Sequence, residues 1–289
     1  MQKNISFIFE KSARASVLAT CFFVLTSPAY SGEVDVFSNT YVYKSGEFVV
    51  NSWIDFSKQS FWQGTNSSLM KQSDYSLKES ISVTSGLGGN FDFQVSEGVI
   101  SRNRAKYTHT SAGDVAINKA SYLQNPLFVV GYGFNDFISG PLSVKAYLKY
   151  SPALKDNTSA LLSPMMALSY AFDKQFRAHA SFGYVFAEKT NIPDAKYFSV
   201  GLQNYFNKTL AFDLTYSNTF YDSTQYWTSY DLKSLSFETI YKLDASTYIS
   251  PIYSIGWRTG VTQLNTSTPY KYTSTGAIQT YSLSIKKVF

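Results

Sequence analysis

The chain is short of charge. Only 16% of its 289 residues are Asp, Glu, Lys or Arg, against about 25% in an ordinary soluble domain. It has one cysteine, Cys21, and two histidines. A disulfide framework and a Cys/His zinc cluster are thereby excluded. Beyond residue 31 no apolar run approaches the ~20 residues that a membrane-spanning helix needs, which excludes a helical polytopic membrane protein. Coiled-coil heptads are missing, as is a phosphate-binding loop: Gly86-Leu87-Gly88-Gly89 lacks the Lys-Ser/Thr that such a loop requires.

Aromatic residues stand in the place of charge. Tyr and Phe number 23 each and, with 4 Trp, make up 17% of the chain. That is too much apolar surface for a disordered protein. The net charge of +5 is mild, and the basic residues do not cluster, so nucleic acid is not expected as a partner.

Residues 1–31 read as an export signal. Lys3, Lys11 and Arg14 precede the apolar run Ala15–Thr26. Ala29 and Ser31 then supply small residues at the −3 and −1 positions of a cleavage site. Leu18-Ala19-Thr20-Cys21 is a poor lipidation box, because Thr20 precedes the cysteine and an apolar stretch follows it. Removal of this segment leaves a cysteine-free chain with 22 basic and 19 acidic residues, net +3. An exported chain without disulfides must draw its stability from its fold.

From residue 47 the hydropathy has period two. Phe48, Val50, Ile54 and Phe56 alternate with Val49, Asn51, Trp53 and Asp55. Leu142 to Tyr150, Phe176 to Phe186, Leu210 to Tyr216 and Tyr281 to Ile285 follow the same rule. Twelve strands are predicted, over 47–58, 75–86, 90–100, 123–134, 141–151, 160–172, 175–187, 196–206, 209–220, 231–242, 247–258 and 277–289. Each has the length of a tilted bilayer-crossing strand. The connections alternate between long (59–74, 101–122, 152–159, 188–195, 221–230, 259–276) and short. An even strand number with this alternation predicts an all-β chain, a transmembrane antiparallel up-and-down barrel of about 12 strands over 47–289. Residues 32–46 remain as a periplasmic lead-in or plug. Within them 33–44 also alternate, but a thirteenth strand would break parity.

The chain ends Tyr281-Ser-Leu283-Ser-Ile285-Lys286-Lys287-Val288-Phe289. A terminal Phe behind alternating apolar residues resembles the signal read by the barrel assembly machinery of Gram-negative outer membranes, with Tyr281, Leu283, Ile285 and Phe289 as its residues. Lys287 departs from it, since that position is usually apolar or aromatic. The stretch Val129–Phe137, followed by Leu142–Tyr150, resembles the glycine-aromatic hairpins of a family of outer-membrane transporters linked to the degradation pathway for phenol and related aromatics. The resemblance implies an outer-membrane channel in contact with lipid and lipopolysaccharide, with aromatic compounds among its solutes.

In a spanning barrel the apolar set faces lipid, so the alternate set lines the interior. That set contains Asp55, Lys78, Asp92, Lys145, Lys149, Arg177, His179, Asp213, Glu238, Lys242, Arg258 and Lys286. It holds seven basic groups, four acidic groups and one His among small polar residues. Two readings follow. In one, the interior is a water-filled pore for passive diffusion of small solutes, with anions favoured by the basic excess. In the other, the charges pair across a closed lumen and the barrel is structural or adhesive. The loop at 101–122 is the candidate constriction, carrying Arg102, Arg104 and Lys106.

Glu79 and Glu97 fall on the lipid-facing sets, which predicts a β-bulge turning each carboxylate inward. Trp53, Tyr150, Tyr216, Tyr230, Tyr241, Tyr248 and Trp257 lie near strand ends, as expected of interfacial girdles. His179-Ala180-Ser181 has the spacing of an outer-membrane lipid hydrolase pair. Phe182 stands where those enzymes carry Asn, however, and the alternation puts His179 and Ser181 inside. His109 is too isolated for a metal site. The sequence therefore calls for no catalytic residue, no cofactor and no metal.

Overall fold

A computed structural model describes residues 40–65, 68–108, 115–134, 141–154, 159–173, 175–263, 270–274 and 277–289. The export signal with Cys21, residues 32–39 and His109 lie outside the described residues. The strands are β1 (Phe48–Thr65), β2 (Ser68–Gly88), β3 (Phe91–Thr108), β4 (Val115–Leu123), β5 (Leu127–Gly133), β6 (Leu142–Ser151), β7 (Leu161–Ala171) and β8 (Phe176–Ala187). They continue as β9 (Ala195–Tyr205), β10 (Leu210–Tyr221), β11 (Tyr230–Lys242), β12 (Thr247–Arg258), β13 (Val261–Gln263), β14 (Tyr270–Ser274) and β15 (Ile278–Val288). Every strand pairing is antiparallel, and β1 pairs with both β2 and β15, which closes the sheet into a barrel.

The wall has twelve staves. β4 and β5 both pair with β3 and form one stave, interrupted at Gln124–Pro126, where the register steps by one residue. Pro126 has no N–H to offer the ladder. β14 and β15 likewise share the edge of β1, and β13 is the extra strand, paired to β14. Closure leaves no free sheet edge along the wall, as a segment in hydrocarbon requires.

The first three strands exceed expectation. β1, β2 and β3 have 18, 21 and 18 residues, where ~9–11 cross a bilayer. Segments 59–74 and 101–122 are therefore mostly β-hairpin and not loop. Arg102, Arg104 and Lys106 sit at alternate positions of β3, in register with Ser76, Asp74 and Gln72 of β2, so this stretch continues the wall. Above a membrane the backbone ladder can go on, but neither face has to be apolar, and the period-two hydropathy that reveals a strand disappears.

Outward residues are large, apolar and exposed: Phe56, Leu148, Phe182, Leu214 and Tyr281 are 43–51% accessible. A water-soluble barrel would bury such residues; here the apolar surface is the outside. The inner surface is rich in serine, with cross-strand hydroxyl pairs such as Ser217–Ser234 and Ser236–Ser254, both at 2.7 Å. Among the described residues, an apolar cluster of buried side chains lies at the short-turn end, where Val49, Tyr248 and Val288 pack with Tyr43.

Glu79 and Glu97 correct the bulge expectation. The β1–β2 and β2–β3 registers run unbroken through both. Glu79 lies opposite Ile54 and Val99, and Glu97 opposite Ile81, so both carboxylates stay on the apolar outer face. The girdle expectation is corrected in part as well. Tyr150, Tyr241 and Trp257 are exposed on the outside near strand ends, and Tyr216 lies outward in mid-strand. Trp53, Tyr230 and Tyr248 share the inward face with Ser80, Tyr221 and Lys286, respectively.

Candidate functional site: the barrel interior

All twelve residues of the alternate set lie on the face opposite the exposed apolar residues. The register gathers them into three groups. At the short-turn end Lys145 on β6 forms an ion pair with Asp92 on β3, both buried. The strand between them, β5, carries Gly131, which faces Asp92 and Tyr147 across the two ladders. A Cβ at Gly131 would fall on the Asp92 carboxylate and the Lys145 side chain, so glycine is what lets the pair meet over β5. Tyr147 lies between Lys145 and Lys149, whose Nζ atoms are 4.9 and 6.0 Å from its ring centroid. Arg177 stacks near Tyr205 and Lys242 near Tyr248, at 5.6 and 5.7 Å.

The segment before β1 enters this end of the barrel. Lys145 Nζ donates to the Tyr41 carbonyl at 2.7 Å. Tyr43 packs on Val49, Tyr248 and Val288. The Lys44 amide donates to Glu47 at 2.8 Å, and Ser45 makes a parallel bridge to Gly86 at the end of β2. Burial foremost, then the Asp92 charge, raises the Tyr43 phenol above its ordinary range.

A second group lies midway. His179 Nε2 and Asp213 Oδ2 are 2.7 Å apart, although β9 runs between their strands. Gly201 of β9 faces His179, and a Cβ there would collide with the imidazole and with Thr215. Thr215 donates to the other Asp213 oxygen at 2.5 Å. Asp213 is in turn directly opposite Glu238 of β11. Like charges in that relation repel. Here His179 flanks one acid, while the Ser250 hydroxyl and Lys286 flank the other. On the neighbouring wall Asp55 faces Lys78, and Lys78 Nζ lies 5.8 Å from the Trp53 indole centroid.

Toward the long-loop end Arg102 pairs with Asp74 at 2.5 Å, and Gln59 donates to the same carboxylate at 3.2 Å. Arg258 lies 5.8 Å from the Tyr230 ring. Sequence reading missed Asp74, which is inward and buried, because it had assigned that segment to a loop. It also missed Gly131 and Gly201, whose importance depends on which side chains cross them. Three of the inward charged groups face partners: Lys145 with Asp92, His179 with Asp213 and Arg102 with Asp74. Among the described residues no cluster of three or more His, Cys, Asp or Glu is placed to hold a metal ion. Ser181 is inside, as the alternation required, one residue beyond Ala180 from His179.

No family model matches the chain, and no curated protein matches it. Solved structures do. The crystal structure of an outer membrane channel from Pseudomonas putida F1 superposes with a TM-score of 0.58 at 8% identity, over 87% of this chain and 98% of that one. The NanC porin follows at TM-score 0.45, 8% identity and coverage of 81% and 98%. The P. putida toluene transporter TodX gives 0.45, 10% identity and coverage of 84% and 90%. The chain thus has the fold of an outer-membrane β-barrel channel.

Proposed function

We propose that the protein is an outer-membrane channel of Gram-negative type that lets small polar solutes pass down a gradient. The observation that carries this reading is the division of the wall into two faces. The outside is apolar and suited to lipid; the inside, from the short turns to the long loops, is charged and hydroxylated. Asp55, Lys78, Asp92, Lys145, Lys149, Arg177, His179, Asp213, Glu238, Lys242, Arg258 and Lys286 line the path. Residues 1–31 are removed on export, and Tyr281, Leu283, Ile285 and Phe289 present the assembly signal. The wall touches lipid and lipopolysaccharide. No catalysis is assigned: His179 is engaged by Asp213, and neither faces lipid.

The segment from residue 40 to the start of β1 partly fills the periplasmic mouth. Its contacts through Tyr41 and Tyr43 support the plug reading and not a free lead-in. The Arg102–Asp74 pair supports Arg102 as part of the wall toward the outer mouth.

Single-channel current through the refolded protein in a planar bilayer tests the proposal. Stable steps are expected, with a weak anion preference that falls when Lys145 and Lys149 are replaced by Gln. Silence from a correctly folded, heat-modifiable barrel favours the closed, structural alternative. Lipid turnover that is abolished in Ser181→Ala would instead establish the hydrolase.

A further inference from the structure

Within the proposed channel, one stretch of inner wall is more than lining. Between β1, β15, β12 and β11 lies a recess of about 340 Å³, walled by Trp53, Asp55, Glu238, Ser250, Ser282 and Lys286. Its volume is at the small end of ligand pockets. Tyr248 closes its lower side and belongs to the cluster with Val49, Val288 and Tyr43, so the N-terminal segment supports its floor.

We propose that this recess is a binding subsite for an uncharged, hydroxylated ring, a monosaccharide, within the channel; the inference rests on the channel reading for its purpose and on the recess for its chemistry. Two features select the class. The first is charge balance. Asp55 faces Lys78 across β1 and β2, and Glu238 and Lys286 line the same recess from β11 and β15, on either side of β12. Each carboxylate of the recess thus has an ammonium near it, Lys286 in the same lining and Lys78 next to it, so neither an anion nor a cation is strongly drawn in. A zwitterion would have to break the existing balance to bind.

The second feature is the mix of surfaces. The Trp53 indole, with Lys78 Nζ 5.8 Å from its centroid, gives a flat apolar face to the recess, and apolar C–H surface of a sugar ring can lie against it. Around it stand carboxylates that accept, an ammonium that donates, and serine hydroxyls that do both. A ring with hydroxyls around its edge can satisfy these groups as water does. An aromatic hydrocarbon cannot: it would strip water from Glu238 and Lys286 and return no hydrogen bond.

Calorimetric titration of the full-length protein in detergent micelles tests this with four probes: D-glucose, D-glucuronate, glycine and toluene. Saturable glucose binding is expected, weak enough for release and unchanged by a tenfold rise in salt. Trp53→Ala should weaken it at least tenfold, while Trp53→Phe keeps most of it. Glu238→Gln should weaken it severalfold. Heat modifiability establishes that each variant is folded. Tighter binding of glucuronate, glycine or toluene overturns the assigned class, and absence of glucose binding by folded protein overturns the subsite. Currents from the same preparation separate the two proposals. An open pore without glucose binding keeps the channel and removes the subsite; a silent barrel that binds glucose does the reverse.

Discussion

Lys145 and Asp92 meet across β5 at the short-turn end of the barrel, and the same ammonium holds the carbonyl of Tyr41. One side chain thus joins three staves of the wall to the segment that enters it. Removing one partner of a buried pair leaves the other charge without compensation. Lys145→Met is expected to cost about 3–5 kcal/mol, read as a lower temperature of heat modification. Asp92→Asn combined with Lys145→Met should recover much of that loss. Both variants should expose residues 40–47 to protease, since Tyr41 loses its tether; protection equal to wild type would dissolve the proposed link.

Gly201 controls the middle of the lumen. Valine there would overlap the His179 ring and Thr215. Gly201→Val should destabilise the barrel by about 1–3 kcal/mol, the usual range for overpacking. In a His179→Ala background the penalty should shrink, because the ring that collides is gone. Equal penalties in both backgrounds, measured by urea unfolding from vesicles, would show that the strain lies elsewhere.

The turn between β11 and β12 should respond to acid. Burial alone would raise the Asp244 carboxyl. The Ser246 amide, Thr247 and the Lys287 charge outweigh it, so the carboxyl sits below its ordinary range. The Ser246 and Thr247 amides donate to it at 2.8 and 2.9 Å. A folded-state pKa below the unfolded value of ~3.9 stabilises fully above that value. The contribution is lost as pH falls through the lower, folded value. Amide exchange at Ser246 and Thr247 should therefore accelerate only in acid. Asp244→Asn keeps an acceptor oxygen but should abolish the pH dependence.

Glu97 sits on the lipid face, opposite Ile81. Carboxylates on that face are costly near mid-bilayer and tolerated near the interface, where the cost of a charge is about 0–1 kcal/mol. It is the seventh residue of β3, past the middle of a crossing of ~9–11 residues. Glu97→Leu should then stabilise the barrel in phosphatidylcholine vesicles by at most about 1 kcal/mol. A gain of several times that would put the residue deep in the hydrocarbon.

Lys287 shows why a departure from a pattern can be harmless. It holds the place in the terminal motif where an apolar residue is usual. Its chain is 2% exposed, lying beside Val50 and Thr247, and its ammonium reaches within 3.9 Å of Asp244 at the turn. The methylenes cover apolar surface, and the buried ammonium has the Asp244 carboxylate as its partner. Next to it, Phe289 stacks on Phe48 with centroids 4.5 Å apart and planes at 4°, at the seam where the sheet closes.

The sequence by itself determined the twelve staves, their order and which face is apolar. Polar groups facing lipid are costly, so the crossing strands alternate almost throughout. Phe176, Ala178, Ala180 and Phe182 against Arg177, His179 and Ser181 could be read from one strand alone. Tertiary structure decided everything that needs a second strand. His179 and Asp213 lie 34 residues apart in sequence, Lys145 and Asp92 53 apart. They meet only because register brings them level and because Gly201 and Gly131 leave the strand between them bare. The hairpin extensions of β1 to β3 were hidden for the opposite reason. Beyond the membrane no rule forces one face to be apolar, so the backbone ladder continues there without a hydropathy pattern to reveal it.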